Sequence, residues 1–299
     1  MPSDPFRICK LPYDMCVLVT VTVVLLFGFS ATSNAAPKSD IWERWTTHDA
    51  NAITSMDHQI WDIFLKKYVT PGGNGVNRVA YKKVPIDDKK SLKHYITTLA
   101  GKPVSQFNKN EQLAYWVNLY NALTVQVILD AYPVSSIRDI DISPGLFSDG
   151  PWGKKLLEIE GEEISLNDIE HRILRPIWKD PRLHYALNCA SLGCPNLGLN
   201  AVTAQNSEDY LNEAAHTFIN HKRAISEHYG KLYASSIYDW FMEDFGDSEV
   251  SVLKHLRTYA DASLLIILDG KKSISGYDYD WALNDAEPLK TKIKKRRGS

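Results

Sequence analysis

Two cysteines share one stretch, Asp180 to Leu197, reading DPRLHYALNCASLGCPNL, and they are the only ones beyond position 16. Cys189, at the end of a short predicted strand Leu183–Leu187 where the backbone turns, is placed as a nucleophile would be. The same pair is a candidate disulfide. Four residues separate Cys189 from Cys194, and the Ser191-Leu192-Gly193 turn lets the loop close if the Cα atoms come within ~7 Å. A nucleophile needs a base and a group that orients it, and His184 or His171 with Asn118 or Glu170 supply the types. His184 and Cys189 lie five apart, so a regular strand would point them to opposite sides unless it kinks at Asn188. Zinc wants four ligands, of which His184, Cys189 and Cys194 make three at a spacing unlike a knuckle. No metal site or cofactor is therefore expected, and neither a serine-hydrolase elbow nor a glycine-rich phosphate loop is present.

The other candidates sit on helices. Asn110 to Ala131 is the strongest helix in the chain, predicted to be capped by Asn110 and stopped by Pro133. Its apolar arc includes Asn118 and Asn121, so both amides are expected to be buried. They either bond neighbouring loop backbone, or orient a histidine and bind a ligand or oxyanion. A second helix starts at Ser165, with Asp168 in the capping-box position. Glu170 falls among Leu166, Ile169, Ile173 and Leu174, with His171 at the edge of that arc. A carboxylate on an apolar face costs several kcal/mol unless paired. Arg182 or Arg175 is the structural partner, and orienting a histidine or moving a proton is the catalytic alternative. Arg182 also counts as a binding residue. His216 and His221 read as surface.

Around these, residues 1–35 resemble a signal peptide, with Arg7 and Lys10 before an apolar run and Ser33-Asn34-Ala35 as a small-x-small cleavage site. Export to the periplasm or medium is expected, with membrane contact only if the leader stays uncleaved. Residues 36–106 read as an N-terminal helical part, 107–284 as the core and 285–299 as a basic tail. Asp40 to Val69 is predicted helical in one or two pieces, Asn77 to Val84 a strand, and Asp87 to Leu99 a helix. Lys155 to Ile164 is a hairpin turning at Glu160-Gly161. Six of the last ten residues are basic; subtracted from a net charge of −2 they leave −8 on the rest. No basic stripe precedes the tail, which argues against nucleic acid as a partner.

Helices and brief strands interleave without βαβ alternation, so the expected fold is a single helix-rich α+β domain with one core and a small, mostly antiparallel sheet. Four motifs carry a resemblance. E111-Q-L-A-Y-W with N118-L-Y-N121-A-L, then S165-L-N-D-I-E-H171, then R182-L-H-Y-A-L-N-C189-A-S-L-G-C194-P, and Y279-D-W-A-L-N284 resemble the domain-of-unknown-function 547 family over Phe107 to Asn284. The resemblance implies a paired-cysteine motif with uses besides a structural disulfide, and no reaction. A helix followed by a histidine-bearing strand is also distantly similar to papain-like and transglutaminase-like folds, with Asn118 where those keep a cysteine. Two functions follow: a binding or scaffold domain for an unknown envelope ligand or substrate, and a thiol-dependent hydrolase or transferase acting on an amide or ester through Cys189.

Overall fold

The computed structural model describes residues 37–145 and 150–287, so the leader and nearly all of the basic tail lie outside the described residues. The fold is built on α3, Lys109–Ala131. Its side chains are buried on every side from Glu111 to Val125, which makes it an axis of the core and not the one-sided helix that the apolar arc suggests. Its cap is Asn108, not Asn110. Asn108 is extended (φ −69°, ψ 162°), and its side chain accepts the N–H groups of Asn110 and Glu111, the donors that a cap satisfies.

Helix α2 (Ile86–Ala100) packs on α3, and α1 (Gln59–Tyr68) packs on α2. The helix expected over Asp40–Val69 exists only as α1 and a 3-10 turn, Glu43–Thr46. The rest is non-helical and pinned by distant backbone: before the turn Asp40 and Trp42 N–H donate to the carbonyls of His171 and Arg172, and after it Asp49 N–H donates to that of Phe107. Tertiary pairing overrides local propensity there. Of the strand Asn77–Val84 only β2 (Arg78–Val79) forms, antiparallel to β1 (Val69–Thr70), before a 3-10 turn at Tyr81–Lys83.

The hairpin forms where expected. Strands β3 (Leu157–Ile159) and β4 (Glu162–Ile164) pair antiparallel, and Glu160 and Gly161 both take positive φ, 47° and 83°, which a two-residue hairpin turn requires. The capping box also forms: Asp168 N–H donates to Ser165 Oγ at 3.1 Å, and Ser165 N–H to Asp168 Oδ2 at 2.8 Å. The helix beyond it is π-helical over Asp168–Leu174 before α4, Arg175–Trp178. π-Helical turns often mark functional sites.

The predicted strand Leu183–Leu187 is instead a helical turn, α5 (Leu183–Ala186). Asp180 bonds the N–H of Arg182 through its side chain and that of Leu183 through its carbonyl, so the Asp-Pro turn winds onward instead of extending. Helix α6 (Ser207–Ile219) follows. Then come β5 (Ile225–His228), β6 (Lys231–Ser235), α7 (Ile237–Trp240), a 3-10 turn Met242–Phe245, α8 (Glu249–Tyr259), α9 (Ala262–Leu268) and β7 (Gly276–Asp278). Strand β6 pairs antiparallel with β5 and parallel with β7.

The strands thus make three small sheets among the described residues instead of one. The buried apolar residues likewise form two clusters within one compact unit where one core was expected. One surrounds α3; the other gathers α6, β5, β6, α8 and α9. Helix α5 faces both, with Leu183 and Ala186 in the first and Tyr185 in the second. A layer of charged side chains contacts both clusters beside it.

Candidate functional site

The turn carrying the cysteines is fixed from α3. Asn121 Nδ2 donates to the Ala186 carbonyl at 2.9 Å, and its Oδ1 accepts Asn188 N–H at 2.8 Å. One amide therefore ends α5 and starts the loop. Asn188 continues the chain of contacts, donating to Pro195 O (2.7 Å) and accepting Ala190 N–H (2.9 Å). Ala190 takes φ 59°, which swings the chain back. Cys194 N–H closes the turn on Ser191 O. The segment after β7 supports it from outside: Leu192 and Gly193 N–H donate to the carbonyls of Ala282 and Asp280, and Asn284 N–H to that of Ala190.

This geometry brings the two sulfurs to within 2.7 Å of each other. Cys189 is half-buried and Cys194 buried. Cys189 Sγ also meets Ser191 Oγ at 3.3 Å and Tyr279 Oη at 3.0 Å, and Cys189 N–H donates to Cys194 Sγ at 2.9 Å. Burial raises both thiols. For Cys194 it is outweighed by hydrogen bonds from the Cys189 thiol, Tyr279 and the Cys189 N–H, with the Arg223 cation adding to them, so its pKa falls below the ordinary value. Burial and the neighbouring Cys194 push Cys189 well above its ordinary value. The shared charge therefore rests on Cys194, the sulfur that the sequence reading did not single out as reactive.

No imidazole or carboxylate is among the hydrogen-bond partners of Cys189 in the described residues. His184, the expected base, lies in the charged layer instead. Its Nε2 meets Asp244 Oδ2 at 2.6 Å, its Nδ1 is 4.0 Å from Glu170 Oε1, and its ring stacks on Phe241 with centroids 4.2 Å apart. Asp244 also receives Arg175 Nε at 2.5 Å. Arg175, with 1% of its side chain exposed, reaches Glu243, the Pro37 carbonyl and His171 Nδ1 as well. Burial would raise the Asp244 pKa, but the bonds from His184 and Arg175 hold it at about 2. Burial lowers His171 to about 4.

Glu170 pairs with neither of the arginines proposed for it. It accepts Tyr120 Oη at 2.9 Å and faces His184. Arg182 is engaged by Asp180, Glu208 and Asn212. Asn118 bonds only backbone, donating to Val202 O (2.7 Å) and accepting Val202 N–H (3.0 Å). The expected residues thus fall into three places: Cys189 and Cys194 with Asn121 behind them; Glu170, His184 and His171 in the charged layer; Asn118 and Arg182 at separate structural contacts. Tyr120, bonded to Glu170 and feeling the charges of Cys189 and Cys194, stands between the first two.

Sequence reasoning missed Asp244 and Arg223, which sit in an aromatic run and after a helix with nothing local to mark them. Tyr279 and Asn284 fall in the last of the four motifs, and that was their signal. Around Tyr279 the rings of Trp240 and Trp281 lie 4.8 and 4.6 Å from it, and Trp152 is 5.8 Å from Trp281. All four rings are partly exposed. A cavity of about 420 Å³ between α1 and α2, lined by Ile60, Phe64, Lys67 and Asp88, contains none of these residues. Among the described residues no helix is long and apolar enough to cross a membrane.

Fold and site together define an α+β domain built on a buried helix, with a dithiol turn beside a charged layer. Residues 104–219 match the family described as "Protein of unknown function, DUF547", and over this part the chain is similar to that family. The match takes in α3, the charged layer's Glu170 and His184, and both cysteines; Tyr279 and Asn284 lie beyond it. No curated protein and no solved structure matches the chain.

Proposed function

We propose that this is a binding or scaffold domain of the cell envelope, and that its ligand is held at the ring platform beside Cys189. The observation that carries the reading is the run of four partly exposed rings, Trp152, Trp281, Trp240 and Tyr279, each in contact with the next. Contiguous, partly exposed rings present apolar edges and faces at low entropy cost and are a common means of holding a ligand. The leader supports the envelope location, and the commitment of Asn118, Asn121 and Arg182 to fixing the fold supports a scaffold role. The alternative, a thiol hydrolase or transferase, needs a base beside Cys189, and His184 is held in the charged layer.

The test uses the immobilised full chain and envelope extracts. Capture of a ligand should be lost in Trp281→Ala and Trp240→Ala and kept in Cys189→Ser. Capture that survives both tryptophan changes would defeat the platform. A Cys189-dependent acyl burst with an activated ester would replace binding with hydrolysis.

A further inference from the structure

The thiol pair has a chemistry that ligand binding leaves unused. We propose that Cys189 and Cys194 form a redox-active dithiol that exchanges with small-molecule disulfides, Cys189 attacking and Cys194 resolving.

Three features carry this. The sulfurs are already in contact at 2.7 Å, so they join without rearrangement of the turn. That turn is held by backbone bonds from Leu192, Gly193 and Asn284 and by Asn121 and Asn188, none of which involves sulfur. It can therefore persist in both oxidation states. The pair is also asymmetric, with Cys189 half-buried and Cys194 buried. Finally, Arg223 is a half-buried cation that bonds no carboxylate among the described residues. It donates to Leu192 O (3.1 Å) and Asn196 Oδ1 (2.7 Å), and among the described residues its buried Nε has no hydrogen-bond partner. Of the ionisable groups it feels, Cys194 is the one whose pKa is lowered, whereas burial pushes that of Tyr279 well up, so a thiolate is its natural counter-ion.

The exchange balances as follows. At rest the charge sits on Cys194; for attack its thiolate takes up the Cys189 proton across the 2.7 Å contact, an uphill transfer that makes the Cys189 thiolate the minor form, and the Ser191 and Tyr279 hydroxyls stabilise that form. Cys189 Sγ attacks one sulfur of the external disulfide; the Cys189 Sγ–S bond forms, the external S–S bond breaks, and one thiolate leaves and takes up a proton. Cys194 gives its proton to that first leaving thiolate and attacks Cys189 Sγ, so the mixed disulfide breaks, the Cys189–Cys194 bond forms, and the second thiolate leaves and takes a proton from solvent. Two protein thiols are oxidised to one disulfide and the external disulfide is reduced to two thiols.

The probe is oxidised glutathione, added to the reduced full chain, with acid trapping, alkylation and peptide mapping. Cys189 and Cys194 should lose alkylation together and regain it in dithiothreitol. Cys194→Ser should accumulate glutathione on Cys189, whereas Cys189→Ser should accumulate none on Cys194. Arg223→Gln, which destabilises the thiolate form, should shift the glutathione ratio at half-oxidation about tenfold toward the disulfide, the effect of roughly one unit in thiol pKa. Two thiols untouched by excess oxidant, a glutathione adduct on Cys194 in place of Cys189, a disulfide that dithiothreitol does not reopen, or an unshifted Arg223→Gln each overturns the proposal. Circular dichroism of each serine variant keeps misfolding from passing as a negative result.

Discussion

Lowering the pH from 7.5 to 4.5 should unfold this domain through imidazoles that are buried neutral. His58 and His171 are each held at about 4, both chiefly by burial, and they are 4% and 5% exposed. Unfolded, each takes up a proton near its ordinary value of 6.5. The folded-state pKa is the depressed one, so the unfolded chain binds more protons between those values and stability falls with pH there. It is complete above about 6.5 and lost progressively toward 4. At ~1.36 kcal/mol per pKa unit each imidazole accounts for ~3 kcal/mol. His255, also lowered to about 4 by burial, adds less because it is more exposed. Together the first two remove ~6 kcal/mol from a total that for a domain is typically ~5–15 kcal/mol. Urea denaturation followed by tryptophan fluorescence at several pH values gives the slope. His171→Gln should lower that slope by nearly one proton, ~1.3 kcal/mol per pH unit around pH 5, whatever it does to stability at pH 7.5. A midpoint that is the same at pH 7.5 and 5, or a variant with the wild-type slope, would refute the reasoning.

Three further outcomes are expected. Asp244→Asn removes a carboxylate from both Arg175 and His184 and should cost ~2–4 kcal/mol by urea denaturation at neutral pH; because Asp244 is held at about 2 against an ordinary 3.8, the variant should also lack the stability that wild type loses as pH falls through that range. Asn118→Ala and Asn121→Ala each strand two buried backbone groups, ~2–3 kcal/mol apiece in a thermal melt, but only Asn121→Ala, which releases the turn at Asn188, should change the alkylation rate of Cys189. Gly193→Ala places a Cβ 2.8 Å from Asp280 N and 3.0 Å from Tyr279 Cγ; it should destabilise the fold by ~1–3 kcal/mol and expose Cys194 to iodoacetamide, read by mass spectrometry.

Signals that live within a few residues were legible in the sequence. The Glu160-Gly161 hairpin, the Ser165/Asp168 box and the span of α3 all appear where pattern and turn chemistry put them. The fold class follows from the same elements. What failed depended on distant partners: the segment after Asp40 is largely non-helical where carbonyls of His171, Arg172 and Phe107 claim its N–H groups, and the buried apolar residues gather in two clusters, with α5 facing both. The site was legible as a list of residue types and not as an arrangement. Burial of Asn118, Asn121 and Glu170 followed from periodicity, yet their partners Val202, Ala186 and Tyr120 did not. Reading Leu183–Leu187 as a strand tied His184 to the cysteine turn by sequence nearness alone, and the helical turn that forms instead sends His184 to Asp244.

The segment from Tyr279 to Asp285 crosses to Ser135, Val79, Ala190, Leu192 and Gly193 through backbone bonds. It is therefore the segment that closes over the thiols. Until it arrives, Cys189 and Cys194 lack Tyr279, and the carbonyls of Asp280 and Ala282 are missing from their turn. Contacts of such long sequence separation form late. The sulfurs thus gain their hydroxyl donor only when this long-range closure is made, so the reactivity of the turn reports on whether the segment Tyr279–Asp285 is docked.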